Sequence, residues 1–398
     1  MVTASQPTPM ILLAFLPALT LAIFTLARYQ SNEDLAASVV DSTLGLAAYA
    51  VLVTEALSLV HGISRSVLLL AWCTPAVAGA VWVARCWRRN GSLHVPRPRA
   101  PKGGVARLAA AGVGLVAVVT AVIAWFAPPN TWDALTYQMS RVAHWAQNGS
   151  IGHYASGIEA QNFMPPGALI LVLQTYVLGQ SDRLANFVQW FAMIVCLVVA
   201  ARLAGRLGAG ETGRWAAALF AATLPTGITQ ATAVTTDYVI ALWVAIAALA
   251  AVEIWQGTAG PSAVVRLGLA SGLAFATKQT AAAYLAPFLL LVAFAVARSP
   301  VRNRLWRWTL LALLLATLLG GPFLARDMAT YGNPAGPSSR VDSQTNQVFG
   351  VNVLVSNLLR NATLHLGTPS PYVNKAMALA VRQVHAVIGL DENDPRTT

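Results

Sequence analysis

The chain has 398 residues, of which 56% are apolar and only 10% are charged, and its mean hydropathy is +0.59. Because water-soluble proteins carry roughly 25% charged residues, this composition predicts a polytopic membrane protein and excludes a soluble enzyme, a secreted scaffold and a disordered chain. The formal net charge of +11 comes mainly from arginine. In a membrane protein such an excess lies in cytoplasmic loops, so we expect no nucleic-acid partner. The three cysteines lack metal-ligand spacing, which argues against a zinc site or a disulfide framework.

Ten apolar stretches predict membrane-spanning helices, because a bilayer core roughly 30 Å thick requires about 20 apolar residues per helix. They occupy residues 10–27, 43–60, 66–84, 108–127, 184–201, 215–231, 238–255, 262–277, 280–298 and 308–324. We interpret the first as an uncleaved span, since Met1–Met10 contains no Lys or Arg and no clear signal-peptide cleavage site follows. The sequence therefore predicts an all-α polytopic membrane protein with about ten spans.

Arginine-rich loops predict the orientation, because positively charged loops are retained in the cytoplasm. Residues 85–107 carry seven Lys and Arg, several prolines and no acid. This segment is predicted to be a cytoplasmic linker between N-terminal helices, residues 1–84, and a core of spans at residues 108–324. Further arginines mark cytoplasmic loops at residues 202–214 and 298–307.

The remaining loops are then predicted on the outer face of the membrane. They are the loop at residues 128–163, the short loop Thr235–Asp237 and the tail at residues 325–398. One apolar stretch, Gly167–Gly179, follows two prolines and has only 13 residues, a length typical of a re-entrant or interfacial helix. Strict alternation puts the N-terminus outside, but the mixed charges at residues 28–34 leave its side open.

Carboxylates are rare in this chain, so each one at a membrane boundary is a candidate for function. Asp133 follows the two prolines that end one predicted span, and Asp237 begins another on the same outer face. Two carboxylates at one boundary can share general-base work with positioning of a substrate or a metal. The alternatives are a loop acid without a role for Asp133 and helix capping for Asp237. We expect Glu55 and Glu253, inside spans, to pair with a neighbouring helix or reach the headgroups.

Two basic residues stand near the same face. Lys278 is one of only three lysines and lies in apolar sequence between two predicted spans. Burying an ammonium group in lipid costs at least roughly 2.5 kcal/mol, so we expect an anionic partner such as a phosphate, unless the side chain reaches the outer interface. Arg326 lies where the last span emerges and could reach the same anion. Pairing with Asp327 or anchoring at the interface explains Arg326 equally well.

The outer loop carries a polar and aromatic pattern. Tyr137, Arg141, His144 and Trp145 recur at three- and four-residue spacing, as on one face of a short helix that lies on the membrane. Together with Gln161, this face suits a sugar or a lipid headgroup. A plain interfacial aromatic belt and a solvated histidine are the alternatives.

These residues, in this order, resemble the GT-C glycosyltransferases. The similarity is closest to bacterial relatives of the protein O-mannosyltransferases and aminoarabinose transferases, grouped as glycosyltransferase family 39 and its neighbours. It covers roughly residues 120–340. The matching segments are Trp132–Tyr137, Arg141–Trp145, Asn148–Ser150, His153–Tyr154, Thr236–Asp237, Ala276–Thr280, Arg326 and Tyr331–Pro334.

The resemblance implies an inverting transferase at the outer face of the bacterial cytoplasmic membrane, acting on the cell envelope. It would move a sugar from a polyprenyl phosphate donor to a hydroxyl group of a lipid, glycan or protein acceptor. Asp133 would be the catalytic base, and Asp237 would orient substrate or help to hold a divalent ion such as Mg²⁺ or Mn²⁺. Lys278 and Arg326 would hold the donor phosphate. The candidate substrate contacts in the loop are Tyr137, Arg141, His144 and Gln161.

The chain departs from the relatives in two respects. Ala134 follows Asp133 and Gln138 follows Tyr137, where many relatives have an acidic pair or a Tyr-His step, so metal binding stays open. Relatives also continue with further membrane helices after the last outer loop. This sequence instead ends after an amphipathic stretch, so we expect a C-terminally truncated chain. The apolar face of that stretch is predicted to contain Met377, Val381, Val384 and Ile388.

Two other functions remain alternatives. A transporter or lipid flippase also uses broken segments, such as Gly167–Gly179 and the turn at Lys278, to build a substrate site at the bilayer midplane. Such a protein is expected to show repeated halves, and the sequence shows no convincing internal repeat. A non-catalytic assembly subunit is the third interpretation, and it predicts that Asp133 is dispensable.

Overall fold

The structure, a computed structural model, describes residues 11–32, 34–96, 100–258, 260–298, 302–344 and 346–397. Within these ranges the chain forms helices and no strand, and the predicted all-α polytopic fold is confirmed. Some predictions fall on residues outside this description. They concern residues 1–10, Glu33, linker residues 97–99 and the side chains of residues 302–306.

The helices follow one another with short connections. In chain order they are α1 (Leu16–Asn32), α2 (Leu35–Ser58), α3 (Arg65–Asn90), α4 (Gly104–Phe126), α5 (Met139–Asn148), α6 (Ala160–Phe163), α7 (Gly167–Gly179), α8 (Ala185–Arg206), α9 (Glu211–Ala222), α10 (Pro225–Gln230), α11 (Asp237–Trp255), α12 (Pro261–Thr277), α13 (Ala281–Arg298), α14 (Arg302–Tyr331), α15 (Ser338–Gln344), α16 (Val351–Leu364) and α17 (Pro371–Ile388). A 3₁₀ turn, Ile11–Phe15, precedes α1, and a π-helical turn, Ala134–Gln138, precedes α5.

Of the helices described, eight are long and apolar enough to cross a membrane: α1 to α4, α8, α11, α13 and α14. The span predicted at residues 262–277 is α12, which is shorter, with 17 residues. The prediction of one continuous span at residues 215–231 is wrong, because α9 ends at Ala222 and α10 begins at Pro225. Leu224 between them is extended, since a proline disfavours the helical conformation in the residue that precedes it.

One end of the bundle is held by a network of ion pairs, and we call it the Arg-rich end. Arg266 of α12 donates to Asp41 of α2 at 3.0 Å and to Glu253 of α11 at 2.6 Å. Arg28 of α1 also reaches Asp41, at 2.5 Å, and Arg206 of α8 reaches Glu253, at 2.8 Å. Glu253 thus pairs with neighbouring helices, as predicted. Three arginines and two acids from five helices satisfy one another here, which fixes how the helices meet.

Close packing between α12 and α14 depends on small residues. Gly268 and Gly272 lie four residues apart on α12 and face Ala312 and Ala316 of α14. A Cβ atom on Gly268 would lie 2.5 Å from the Ala312 Cα atom, and one on Gly272 would lie 2.7 Å from the Ala316 Cα atom. This small-xxx-small pattern lets two helix backbones approach closely in a membrane. Lys278 directly follows α12. The contact between α12 and α14 therefore fixes the position of Lys278 relative to the C-terminal end of α14.

The helix α7 has the bounds predicted for a re-entrant or interfacial helix, Gly167–Gly179. Ten of its residues are buried, although it is too short to span. The side chain of Gln174, in its middle, accepts from the Trp72 indole at 3.1 Å and donates to Thr54 at 3.0 Å. The first residue of α7, Gly167, packs on the carbonyl of Ala276, which is the second-last residue of α12 and lies two residues before Lys278. The core therefore lies around α2, α7, α8, α11 and α12.

The C-terminal segment contains an antiparallel pair of helices, α16 and α17. The inner face of α17 contains His385, which is buried and bonds the Ser356 hydroxyl of α16 at 2.8 Å. Val384, predicted on this face, is 37% exposed instead, because the face follows positions 377, 381, 385 and 388. His385, whose imidazole bonds a hydroxyl group, therefore occupies the buried position that the apolar pattern assigned to Val384.

The packing of α12 on α14 yields a stability prediction. We expect Gly268→Ala to lower the melting temperature of the purified protein by several degrees, because the added methyl group forces the two backbones apart at a cost of about 1–3 kcal/mol. Gly114→Ala is the matched control, since a Cβ atom there meets nothing within 4 Å. Thermal unfolding in detergent measures both. Equal melting temperatures for the two variants would contradict the close contact.

Candidate active site

The end of the bundle opposite the Arg-rich end gathers the polar residues predicted to carry function, and we call it the site end. Asp237 and Glu253 lie near opposite ends of α11, and Arg266 and Lys278 lie near opposite ends of α12. At the site end the Lys278 ammonium group donates to the Asp237 carboxylate at 2.6 Å. Both side chains are partly open, with 41% and 42% of their surfaces exposed. This is an ion pair that solvent or a ligand can reach.

Local backbone structure explains the placement of this pair. Lys278 is extended and lies in the break between α12 and α13, where no helix constrains its direction. Asp237 is the first residue of α11, and Thr236 occupies the capping position without a side-chain cap bond. Asp237 therefore acts in the first turn, where a carboxylate is favoured by the helix dipole, and it does not itself take the capping position.

Asp133 and Tyr137 stand beside this pair. Asp133 is exposed, lies after the end of α4 and immediately precedes the π-helical turn. The Tyr137 hydroxyl donates to an Asp133 carboxylate oxygen at 3.4 Å and accepts from the Gln138 amide at 3.2 Å. Burial raises the pKa of Tyr137 to about 12, and the negative charges of Asp133 and Asp237 act in the same direction. Tyr137 is therefore a protonated phenol that interacts electrostatically with both carboxylates.

Arg141, predicted as a substrate contact, is 2% exposed and binds the protein itself. Its guanidinium donates to the carbonyl of Met164 at 2.6 Å and to that of Asn162 at 2.9 Å, and it lies 4.5 Å from the ring centre of Trp145. Burial, followed by the nearby charge of Arg326, lowers the pKa of Arg141 to about 9. These contacts indicate that Arg141 holds the segment that leads into α7.

Gln161 organises the same loop. Its amide nitrogen donates to the Thr136 carbonyl at 2.9 Å and to the Ser140 hydroxyl at 3.0 Å. Its oxygen accepts from Tyr154 at 3.1 Å and from Ser156 at 2.7 Å. With four partners inside the loop, Gln161 fixes the π-helical turn that carries Tyr137. A role for Gln161 as a substrate contact stays a prediction.

His144, a predicted substrate contact, is exposed at the site end. Its ring stacks on Tyr154 with 4.3 Å between ring centres.

Arg326, predicted to hold the donor phosphate, is paired with an acid of the protein. It forms a two-point ion pair with Glu55 of α2, at 2.5 and 3.0 Å. Of the partners expected for Arg326, Asp327 is therefore not the one observed, and Glu55 pairs with a neighbouring helix as predicted. The pair ties α14 to α2 near the site end.

Sequence reasoning missed a pair formed by His153 and Asp327. Asp327 is 0% exposed, and one of its oxygens lies 3.3 Å from the His153 imidazole. The other ring nitrogen of His153 bonds the Thr330 hydroxyl at 2.8 Å. This contact joins the loop at residues 128–163 to the end of α14. The two residues lie far apart in sequence, and nothing in the pattern around either one indicates the other.

The resemblance to GT-C glycosyltransferases left open whether the site binds a divalent metal ion. Across the residues that the structure describes, no group of three or more His, Cys, Asp and Glu side chains is arranged to hold a metal. Around Asp133 the partner is the phenol of Tyr137, and around Asp237 it is the ammonium of Lys278. A cation is a poor neighbour for a metal ligand, so these residues do not fit a Mg²⁺ or Mn²⁺ site, and no step below depends on one.

Comparison with known proteins bears on this region. The model of a family described as dolichyl-phosphate-mannose-protein mannosyltransferase matches residues 164–325. The match begins just before α7, contains Asp237 and Lys278, and ends one residue before Arg326. It confirms the predicted resemblance to GT-C glycosyltransferases, and it supports a multi-pass membrane glycosyltransferase similar to mannosyltransferases. Searches of curated proteins and of solved structures found no match.

The contacts of Arg141 yield a prediction about the loop. We expect Arg141→Gln to lower the melting temperature by several degrees, because two buried carbonyl groups lose charged donors, at about 1–3 kcal/mol each. Arg382→Gln is the matched control, since that arginine side chain is 66% exposed in its pair with Glu392 and such surface pairs contribute little. Thermal unfolding of both variants tests this, and an unchanged Arg141→Gln protein would argue that the arginine is free for substrate.

Proposed function

We propose that the protein is a glycosyltransferase that moves a sugar from a polyprenyl phosphate donor to a hydroxyl-bearing acceptor at the outer face of the membrane. The observation that carries this proposal is the cluster at the site end. There Asp133, Tyr137, Asp237 and Lys278 combine an exposed carboxylate with a cation that can be reached from solvent. The family match supports the reaction class, and the arginine-rich loops at the far end support the orientation.

Asp133 is assigned the role of general base. Its carboxylate is exposed, and the Tyr137 hydroxyl holds one of its oxygens by a hydrogen bond. The other oxygen is left to accept a proton from the acceptor hydroxyl. Because the high pKa of Tyr137 keeps the phenol protonated, Tyr137 orients the base and does not compete for that proton. A positioned base of this kind contributes typically 10²- to 10⁴-fold to the rate.

Lys278 is assigned to the donor phosphate. One of its three N–H groups is used by Asp237, and the partly open ion pair leaves the others to a ligand. When the bond between the anomeric carbon and the phosphate oxygen breaks, its electron pair leaves with the phosphate. A fixed cation stabilises that developing charge. The acceptor oxygen forms the new bond to the anomeric carbon, and its proton passes to Asp133.

The two remaining predicted groups take supporting roles in this proposal. Asp237 holds the Lys278 ammonium in place through the 2.6 Å contact. Arg326 is already neutralised by Glu55, so its charge is less available to the donor phosphate than that of Lys278. We therefore propose Lys278 as the main phosphate contact and Arg326 as the residue that fixes α14 against α2. His144, exposed on its stack with Tyr154, remains the proposed contact of the loop with a sugar or headgroup.

The base is tested by Asp133→Asn in protein reconstituted into liposomes with radiolabelled polyprenyl phosphate mannose and membrane-derived acceptors. We expect the turnover number to fall at least 100-fold with little change in KM, because the amide cannot take the proton. Asp182→Asn changes another exposed acid and should leave activity unchanged. Transfer that survives Asp133→Asn would exclude Asp133 as the base. Movement of labelled lipid between leaflets without release of polyprenyl phosphate would instead support a flippase.

The phosphate contact is tested by Lys278→Gln. We expect KM for the donor to rise at least tenfold, since a charged hydrogen bond to phosphate is lost, and Lys278→Arg to recover part of the effect. Lys375→Gln removes an exposed lysine of α17 and serves as the control. Steady-state kinetics at varied donor concentration measures both. If Lys278→Gln and Lys375→Gln behave alike, Lys278 does not contact the donor.

A further inference from the structure

A cavity of about 720 Å³ lies at the Arg-rich end, away from the proposed reaction. It is open on one side and lined by the beginning of α2, by α4, by the second half of α8 and by the first turns of α9. Its inner wall is apolar and includes Val113, Ile194, Leu197 and Ala218. From Ile194 to Arg202 at its charged rim, the wall runs eight residues along α8, which is about 12 Å. The cavity is therefore amphipathic along the direction of the helices.

The rim carries two arginines and two acids, and they are not all paired with one another. Arg202 is occupied, because it donates to both carboxylate oxygens of Asp34 at 2.8 and 2.7 Å. Arg214 uses its Nε atom in a long bond of 3.4 Å to the Ala209 carbonyl. Among the described residues, no carboxylate lies within ion-pair distance of the Arg214 guanidinium.

Glu211 is the second charged group on the rim that can still accept a hydrogen bond or form an ion pair. One of its oxygens accepts the backbone N–H of Lys102 at 3.2 Å. No cationic side chain of the described chain forms an ion pair with it. Glu211 and Arg214 are three residues apart on α9, a spacing at which opposite charges on a helix commonly pair. Here they stay apart, so one positive and one negative group both face the mouth of the cavity.

We propose that this cavity binds one phospholipid with a phosphoethanolamine headgroup. The Arg214 guanidinium receives the phosphate, the Glu211 carboxylate receives the ammonium, and an acyl chain lies along the apolar wall. A phosphate is the preferred ligand of a guanidinium fork. A phosphoglycerol headgroup brings no cation for Glu211, and a phosphocholine headgroup has no N–H to donate. Of these three headgroups, only phosphoethanolamine offers both a phosphate for Arg214 and an N–H cation for Glu211.

The lipid would act as a structural element of the bundle. α9 belongs to the broken span and packs on α4 and α8 through a small separate cluster that includes Leu197, Ala218 and Ala222. A lipid seated there would join α9 to the beginning of α2, which the ion-pair network connects to the rest of the Arg-rich end. Gly205 contributes by its lack of a side chain, because a Cβ atom there would lie 2.7 Å from the Arg214 Nε atom.

The test is native mass spectrometry of the full chain in detergent, titrated with phosphatidylethanolamine, phosphatidylcholine and phosphatidylglycerol of identical acyl chains. We expect one phosphatidylethanolamine to bind at least tenfold more tightly than the other two. Arg214→Gln and Glu211→Gln should each reduce this preference to less than threefold, and Gly205→Ala should do the same by displacing the guanidinium. Arg89→Gln removes an exposed arginine of the last turn of α3 and should have no effect.

Two results would overturn the proposal. One is equal binding of the three lipids by the wild type, or a preference for phosphatidylglycerol, which would indicate general attraction to an anionic surface. The other is a lipid preference that stays unchanged in Arg214→Gln, Glu211→Gln or Gly205→Ala. Because lipid binding is measured without donor or acceptor, failure here leaves the proposed transferase reaction standing, and failure of that reaction leaves the lipid site standing.

Discussion

Pairing of charges between helices is the constraint on which this structure depends. In a chain with so few charged residues, an ionised group inside an apolar bundle is costly unless an opposite charge satisfies it. Arg266 meets Asp41 and Glu253 at one end, and Arg326 meets Glu55 towards the other. In each of these pairs the arginine and the acid come from different helices, so satisfying the charges also selects which helices are neighbours. The small residues of α12 and α14 then bring two of these helices into direct backbone contact.

The pair Lys278–Asp237 differs from the others in a way that matters for function. The ion pairs of Arg266 and Glu253 are largely enclosed, whereas the lysine and aspartate at the site end are each about two-fifths exposed. An exposed ion pair contributes little to stability and exchanges partners readily. A phosphate can therefore share the ammonium without disturbing the fold. Ion pairs therefore serve both the scaffold and the proposed chemistry. The buried pairs stabilise the fold, and the exposed pair is accessible to a ligand.

Local sequence patterns predicted the parts of this protein that local physics determines. The run of 13 apolar residues after two prolines had the bounds of α7, and the apolar stretches found the long helices. The break before Pro225 also follows from a local rule, because proline restricts the residue that precedes it. The prediction of one span at residues 215–231 missed it, since that prediction used hydrophobicity alone. The pairing of Arg326 with Glu55 and of Asp327 with His153 could not be read, since each joins residues that only the folded chain brings together. The roles proposed for Asp133 and Lys278 depend in addition on contacts with a substrate, which the sequence pattern does not specify.

The burial of α7 has a consequence for how the protein is made. This helix is too short to be recognised as a span during synthesis, yet its first residue packs on the carbonyl of Ala276 in α12, which the ribosome makes roughly one hundred residues later. Its partners in α2 and α3 are already in the bilayer, but its seat is incomplete until α12 arrives. The loop at residues 128–163, which carries the proposed base, leads directly into α7. α7 and this loop can therefore reach their final positions only after α12, which ends at Thr277, has been made, when more than two thirds of the chain has been synthesised.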